Sequence, residues 1–301
     1  MTGSGSLVMA TRRSQLALAQ SRAFAAELAT RSGVKITELH VVTTGDRVQD
    51  RPLSEVGGKG LFVKEIEEAL IEHRADFAVH SIKDVPAQLA PGLRIACIPR
   101  RADPRDVLVS SAGLPLRELP AGSKVGTSSL RRAVLLRRLR PDLDFVPLRG
   151  NVDTRLRKVR EGQVQAAVLA KAGLDRLGLS DVVTEILDPV SCVPAVGQGA
   201  LGIECRDDDP RTASLLGELH DPATAIAVAA ERGVLIQLEG NCKLPIAAHA
   251  VRAEDGRMVL RAMLARADGT ELRIEQRERA WPGDEREAEE FGRGVGGLLR
   301  G

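Results

Sequence analysis

Between Lys124 and Arg160 the chain twice runs from a short apolar stretch through a tight polar corner into a helix-forming segment, and each corner leads to arginines. Gly126-Thr127-Ser128-Ser129 opens the first helix. Small hydroxyl residues at a helix start leave backbone N–H groups free, and the helix dipole there favours an anion. Arg131 and Arg132 lie on that first turn, where guanidinium groups can fork onto the same anion. Phe145-Val146-Pro147-Leu148 then reads as a short strand, Arg149-Gly150-Asn151 as the turn after it, and Asp153-Thr154-Arg155 as the start of the next helix. Arginines repeated at strand-to-helix corners point to an open α/β sheet that binds its ligand at the strand ends.

Charge makes the same stretch stand out. It carries eleven Lys/Arg against three Asp, a local charge of +8 in a chain whose total is +2, so the remainder is net acidic. A local excess of this size implies a polyanionic partner. Arg137, Arg138 and Arg140, beside the Leu135, Leu136 and Leu139 stripe, read as a solvated helix face. Arg131, Arg132, Arg149 and Arg155 read as ligand-binding. Aromatic residues are 2% of the chain, with no Tyr. That argues against a nucleic-acid binder, because single-strand binders stack bases on aromatic rings.

At 301 residues, 43% hydrophobic and 28% charged, the chain is expected to hold two or three soluble domains. Met1 to Met9 has no basic region followed by a long apolar run, so no secretory signal is expected. No run of about 18 apolar residues is present, so no membrane span is expected. The four cysteines, Cys97, Cys192, Cys205 and Cys242, are far apart and lack CxxC spacing. Neither a metal site nor a disulfide framework is indicated, and a reducing cytoplasm is the default compartment.

The first strand spans Leu7 to Ala10. Arg12 and Ser14 occupy the corner after it, with Ser14 as N-cap of a helix running to about Arg31 and Gly33 as its stop. The expected apolar face of that helix is Leu16, Ala19, Phe24 and Leu28. A second strand covers Lys35 to Val42. Thr43-Thr44-Gly45-Asp46 and a polar stretch follow, ending in the loop Gly57-Gly58-Lys59-Gly60, whose Lys59 is a candidate to close over a ligand. Phe62 to His73 is an amphipathic helix. Asp76 to His80 is a strand, and Ser81-Ile82-Lys83-Asp84 ends it. A Lys–Asp pair is usually a surface ion pair; here the carboxylate gains weight because a cationic intermediate needs one. Strands follow at Leu93 to Ile98 and Asp106 to Ser110, separated by a Pro- and Arg-rich crossing at Pro99 to Pro104. Strand–helix alternation continues through Val168, and Ala170 to Arg176 starts another helix. Val193 to Gly199, which includes Gln198, reads as a return crossing before a strand at Ala200 to Cys205.

The fold class expected is α/β in three domains. Two periplasmic-binding-protein-like α/β lobes, residues 1–99 with 200–217 and residues 105–193, are joined by a double crossover that implies a hinged cleft. An α+β domain at residues 220–301 follows, with one long helix, three antiparallel strands separated by Asp255-Gly256 and Asp268-Gly269 turns, and a last helix. Cys242 lies in the Gly240-Asn241-Cys242-Lys243 turn, where Gly240 and Asn241 tolerate positive φ and Lys243 favours a thiolate. The other three cysteines fit inert core positions.

Ten motifs taken together resemble the porphobilinogen deaminase (hydroxymethylbilane synthase) family, in its order and spacing: ATRRSQLAL, TTGD, VGGKGLFVKE, AVHSIKDVP, DPRD, VGTSSLRR, LRGNVDTRL, AGLDRLGL, AVGQGALGIECR and LEGNCKLP. The resemblance implies a transferase of tetrapyrrole (porphyrin) biosynthesis. Such an enzyme condenses four porphobilinogen molecules head to tail into hydroxymethylbilane with loss of four ammonia. It implies a dipyrromethane cofactor held by a thioether to Cys242, and Asp84 as the carboxylate acting on each incoming ring. It also implies carboxylate- and cofactor-binding roles for Arg12, Ser14, Lys59, Lys83, Thr127, Ser128, Ser129, Arg131, Arg132, Arg149, Gly150, Arg155, Ala170, Arg176 and Gln198. A cytoplasmic monomer acting on a small molecule, without metal, nucleic acid or membrane, is the expectation that goes with it. A growing pyrrole chain is itself a polyanion, which accounts for a basic segment without an aromatic platform.

Three positions depart from the family pattern. Gly240-Asn241 stands where Gly-Gly is usual, and Asn accepts the same left-handed backbone. Lys243 is a charged neighbour for the cysteine. Glu55 stands where some members place a lysine, so no role is carried to it. Two rival readings are a non-catalytic two-lobed anion receptor and a nucleic-acid binder. The loop cysteine of the third domain has no place in the first, and the scarcity of aromatics argues against the second.

Overall fold

The computed structural model describes residues 5–47, 63–239, 244–266 and 268–300. Lys59, Glu55 and the loop bearing Cys242 lie outside these residues. The chain forms two compact units, Met1–Arg101 with Ala200–Ala225 and Ala102–Gly199 with Ile226–Gly301.

In chain order the first unit contains β1 (Ser6–Arg12), α1 (Gln15–Ser32), β2 (Lys35–Val41), α2 (Thr44–Arg47), α3 (Lys64–Ile71), β3 (Phe77–Ser81) and β4 (Leu93–Cys97). The second unit begins with β5 (Asp106–Ser110), β6 (Lys124–Gly126), α4 (Leu130–Leu139), β7 (Asp144–Val146), α5 (Val152–Arg160), β8 (Ala166–Ala170), α6 (Lys171–Arg176) and β9 (Glu185–Ile186). The chain returns to the first unit with β10 (Leu201–Arg206) and α7 (Pro210–Gly217). It ends with α8 (Pro222–Gln237), β11 (Ile246–Arg252), β12 (Met258–Leu264), β13 (Arg273–Arg279) and α9 (Glu285–Arg300). This is the expected mixture of two α/β sheets and a small antiparallel sheet.

The sheet of the first unit has the order β2-β1-β3-β10-β4. β1 pairs parallel with β2 and β3, and β10 pairs antiparallel with β3 and β4. Side chains alternate across it as the two-residue period of a strand requires. Leu7, Met9 and Phe77 pack with Phe24 and Leu28 of α1 and with Leu216 of α7. Ala10 and Ala78 face the other way, onto Ile66 and Leu70 of α3. Both faces are covered, so the central strands read as nearly unbroken apolar runs.

The termini of α1 follow the expected chemistry. Ser14 Oγ accepts from Ala17 N at 3.3 Å, and Gly33, at φ +69°, donates its N–H to the Ala29 carbonyl at 2.9 Å. The buried face differs from the expected one. Phe24 and Leu28 are buried, but so are Gln20 and Ser21, whereas Leu16 and Ala19 are half-buried. Ser21 Oγ meets Thr11 Oγ1 at 2.8 Å and Ser81 Oγ donates to Gln20 Oε1 at 3.1 Å. Hydrogen bonds from β1 and β3 remove the penalty for burying these polar groups.

The sheet of the second unit has the order β7-β6-β8-β5-β9, again with a parallel trio followed by an antiparallel fourth strand. Leu108, Val125 and Val168 pack beneath Leu136 of α4. Val107, Val109 and Leu169 face Leu156 of α5 and Leu174 of α6. Truncating a fully buried leucine such as Leu136 to Ala is expected to cost about 2–5 kcal/mol.

The sheet β11-β12-β13 is antiparallel throughout. Ala248, Leu260 and Ala262 cover one of its faces with residues of α8 and α9. Ala247 and Met263 on the other face pack on Val134 and Leu135 of α4 and on Val193, so this sheet belongs to the same compact unit as β5–β9. The two helices touch backbone to backbone at glycine. A Cβ on Gly292 stands 1.9 Å from the Ala230 carbonyl oxygen, closer than any side chain permits. No helix among the described residues is long and apolar enough to cross a membrane.

Candidate functional site

In the second unit the corner after β6 is a close fit. A Cβ on Gly126 stands 2.6 Å from Leu148 Cδ2, so glycine lets the two strand ends approach. Thr127 N donates to the Val146 carbonyl at 2.9 Å, and Thr127 Oγ1 accepts from Ser129 N at 3.2 Å. Ser129 is the N-cap of α4, with Oγ accepting from Arg132 N at 3.5 Å. Ser128 Oγ donates to the Leu148 carbonyl at 2.8 Å. These bonds fix the first turn of α4 and the two arginines on it.

Arg131 and Arg132 are buried. Arg131 Nη1 donates to Asp106 Oδ2 at 2.7 Å and to the Val193 carbonyl at 2.5 Å. Arg132 donates to Asp106 Oδ1 from Nε at 3.0 Å and from Nη2 at 2.7 Å, and to the Val168 carbonyl from Nη1 at 3.0 Å. Gln198 Nε2 donates to Asp106 Oδ1 at 2.8 Å and to the Pro104 carbonyl at 2.6 Å. Burial by itself raises the pKa of Asp106; the two guanidinium groups outweigh it and hold the carboxyl well below the ordinary carboxylate range. Sequence reasoning missed Asp106, although it closes the DPRD motif.

The corner after β7 is formed differently. Gly150 has φ +114°, a conformation that favours glycine. Asn151 caps α5, its Oδ1 accepting from Thr154 N at 2.9 Å. Arg155 Nε donates to the Gly150 carbonyl at 2.8 Å, and Lys158 Nζ to the Arg149 carbonyl at 3.2 Å. Nη1 of Arg149 is buried without a hydrogen-bond partner among the described residues. Burial, then the charges of Arg132 and Arg149, push the ionisation of Arg155 down to about 10. Arg155 therefore lies close enough to Arg132 and Arg149 to be repelled by both, while Asp106 ion-pairs with Arg131 and Arg132.

Ala170 ends β8, and Lys171 beside it is ion-paired to Asp175 at 2.7 Å. Arg176 donates to the Gly199 carbonyl at 2.8 Å, and burial lowers its pKa. The structure thus brings Thr127, Ser128, Ser129, Arg131, Arg132, Arg149, Gly150, Arg155 and Gln198 together around two adjacent corners. Ala170 lies at the end of the neighbouring strand.

In the first unit Arg12 ends β1 and Ser14 caps α1. Lys83 and Asp84 are exposed on a single 3₁₀ turn after β3, Ile82–Asp84. The turn is pinned by Ile82, which is 1% exposed and donates its N–H to the Ala200 carbonyl at 3.1 Å. Among the described residues no group of three or more His, Cys, Asp or Glu is arranged to hold a metal ion.

Two buried guanidinium groups paired to one carboxylate, with Arg149 and Arg155 at the next corner, put a surplus of positive charge at the strand ends of an α/β sheet, the pattern of an anion-binding α/β protein. Family models agree with that class. The dipyrromethane cofactor binding domain of porphobilinogen deaminase matches residues 7–214, and the C-terminal domain of porphobilinogen deaminase matches residues 225–300. The chain belongs to the porphobilinogen deaminase family. It is 59% identical over 295 residues to the porphobilinogen deaminase of Sorangium cellulosum, covering 98% of each chain. It is 52% identical over 288 residues to that of Syntrophobacter fumaroxidans, covering 95% of this chain and 91% of that one. Among solved structures it is similar to the periplasmic aliphatic sulphonate binding protein SsuA from Escherichia coli, at 16% identity and TM-score 0.42, covering 79% of this chain and 71% of that one.

Proposed function

We propose that this protein catalyses the porphobilinogen deaminase reaction, the stepwise condensation of four porphobilinogen molecules into hydroxymethylbilane with release of four ammonia, as a monomeric cytoplasmic enzyme. The observation that carries the reading is the arginine cluster: a buried Arg149 Nη1 without a hydrogen-bond partner among the described residues, beside an Arg155 whose charge is disfavoured by burial and then by its cationic neighbours. Such a cluster is completed by anionic groups supplied from outside, and a pyrrole bearing acetate and propionate supplies two per ring. The scarcity of aromatic side chains supports a small carboxylate ligand over a nucleic acid.

The same surplus of guanidinium groups fits a dipyrromethane, which is itself a polycarboxylate. Ser128, Ser129, Arg131, Arg132, Arg149 and Arg155 are the groups in the second unit that would hold it, with Cys242 as the attachment point. When bound, the dipyrromethane supplies the carbon nucleophile from which the product chain is extended. Asp84 is assigned the pyrrole N–H of the incoming porphobilinogen. Its carboxylate accepts that hydrogen bond and stabilises the positive charge left on the ring when the aminomethyl C–N bond breaks and ammonia departs. The arginines hold the carboxylates, so that ring position is set by bidentate contacts rather than by stacking. Arg12, Ser14, Lys59, Lys83 and Arg176 are assigned contacts to acetate and propionate side chains. We also propose three domains, at residues 1–99 with 200–217, 105–193 and 220–301.

Ammonia release tests the reading. Purified protein supplied with porphobilinogen is expected to release one ammonia per substrate consumed and to form hydroxymethylbilane. Protein that binds porphobilinogen without releasing ammonia would be a receptor and not this enzyme.

A further inference from the structure

The DPRD motif takes no part in the reaction as assigned above, yet its last residue sits at the centre of the arginine cluster. Asp106 is the first residue of β5 and is fully buried. Its Oδ1 accepts from Arg132 Nε, Arg132 Nη2 and Gln198 Nε2, and its Oδ2 accepts from Arg131 Nη1 and, at 3.4 Å, from the Cys192 thiol. The preceding residues hold it in place. Arg105 forks onto Asp103 at 2.6 to 3.1 Å, and the Pro104 carbonyl accepts from Gln198. Together with the bonds to the Val193 and Val168 carbonyls and to Gln198 Oε1, these contacts engage Nη1 of Arg131 and all three nitrogens of Arg132.

We propose that Asp106 is a positioning residue. It fixes the planes of Arg131 and Arg132 in the orientation in which they face a pyrrole carboxylate, and it leaves Arg149 and Arg155 to be balanced by the ligand. The argument rests on the deaminase reading for the identity of that ligand. A buried guanidinium without a counter-charge is not held in one orientation, and a fork on carboxylate requires one. Without Asp106, Arg131 and Arg132 would lose the carboxylate to which both are ion-paired. Asp106 therefore sets how much positive charge the cluster presents as well as where the guanidinium planes lie.

The test compares the wild-type holoenzyme with Asp106→Asn, Asp106→Glu and, as a control for lost stability alone, Leu108→Ala, a fully buried neighbour on β5. Dipyrromethane content is read from intact mass, folding from thermal melting, and KM and kcat from porphobilinogen turnover. Asp106→Asn is expected to fold, to carry little dipyrromethane, and to raise KM about tenfold or more in the fraction that is loaded, as loss of a charge-assisted contact does. Leu108→Ala is expected to melt earlier with normal cofactor content and KM. Asp106→Glu keeps the charge but displaces it by a methylene, and KM is expected to rise with the fold intact. If Asp106→Asn does not fold, the Glu variant decides. Wild-type cofactor content and KM in whichever Asp106 variant folds, or an equal defect in Leu108→Ala, would overturn the proposal. Wild-type protein with neither dipyrromethane nor turnover would instead refute the deaminase reading.

Discussion

The two five-stranded sheets share one plan: a central strand flanked by two parallel neighbours, then an antiparallel fourth strand, as β2-β1-β3-β10 and as β7-β6-β8-β5. Their corners carry different groups. After the first strand of each trio a serine caps a helix, Ser14 on α1 and Ser129 on α4. The first turn of α1 is Gln15-Leu16-Ala17, whereas that of α4 is Leu130-Arg131-Arg132. After the third strand the first unit presents an exposed Asp84, whereas the second presents Lys171 already paired to Asp175. Each antiparallel strand bears one fully buried carboxylate. Glu204 on β10 meets His80 at 2.9 Å, and Asp106 on β5 meets the two arginines. Strand topology decides where a corner lies, and the residues placed there decide which charge it handles. In our proposal the first unit supplies the acid for a cation and the second supplies cations for carboxylates.

That division can be broken at either end. The largest effect is expected from Asp84→Ala, which should lower turnover by roughly 10²–10³-fold, as removal of a charge-stabilising group in an active site does. The melting temperature should hold, because Asp84 is exposed. Near-normal turnover would remove Asp84 from the mechanism. Arg155→Leu and Arg149→Leu should each lower kcat/KM by about 10–100-fold. Burial and like charge put the folded-state pKa of Arg155 at about 10, below its ordinary 12.5. Its charge therefore opposes folding at neutral pH, and the leucine variant is expected to melt no earlier than wild type. An earlier melt with intact kcat/KM would make this corner structural.

Thiol labelling sharpens the comparison without a substitution at either corner. Cys97 in the first unit and Cys192 in the second are buried, and burial pushes both thiols up to about 12. Neither should alkylate at pH 8 in the native protein, and both should do so once it is denatured; peptide mass mapping reads the difference. The smallest effect belongs to the edge of the first sheet. Glu38 on β2 is held down to about 2, chiefly by its hydrogen bonds to Arg22 and His40. A depressed carboxyl contributes stability above its unfolded pKa and loses it as pH falls through the folded one. Glu38→Gln should therefore lower the melting temperature slightly at neutral pH, and the gap to wild type should close between about pH 4.5 and pH 2.

Much of this was legible in the sequence because local chemistry marks the corners. Ser14, Gly33 and Gly150 are where caps and positive φ demand them. The strand read at Phe145 to Leu148 is β7 at Asp144–Val146, because Pro147 offers no N–H to continue a ladder. The arginine-bearing helix starts after β6 and β7 are both present. What stayed hidden depends on pairing between distant residues. Gln20 and Ser21 look like a polar helix face until Thr11 and Ser81 are placed opposite them. Asp106 is 25 and 26 residues from the arginines it holds, and no periodicity links them. Arg206 is buried on β10, donating to the Leu70 and Ala75 carbonyls, for the same kind of reason. The two-residue strand β9 is too short to leave a pattern of its own.

The central claim is that the arginine corners serve an acidic pyrrole oligomer tethered to this chain through sulfur. Intact mass spectrometry of protein made with porphobilinogen available tests it most directly, alongside the Cys242→Ser variant. The account predicts a wild-type mass above that of the 301-residue chain by one dipyrromethane, and a variant at the mass of the bare polypeptide. A wild-type protein at the bare mass, or a Cys242→Ser variant that keeps the excess, would contradict it.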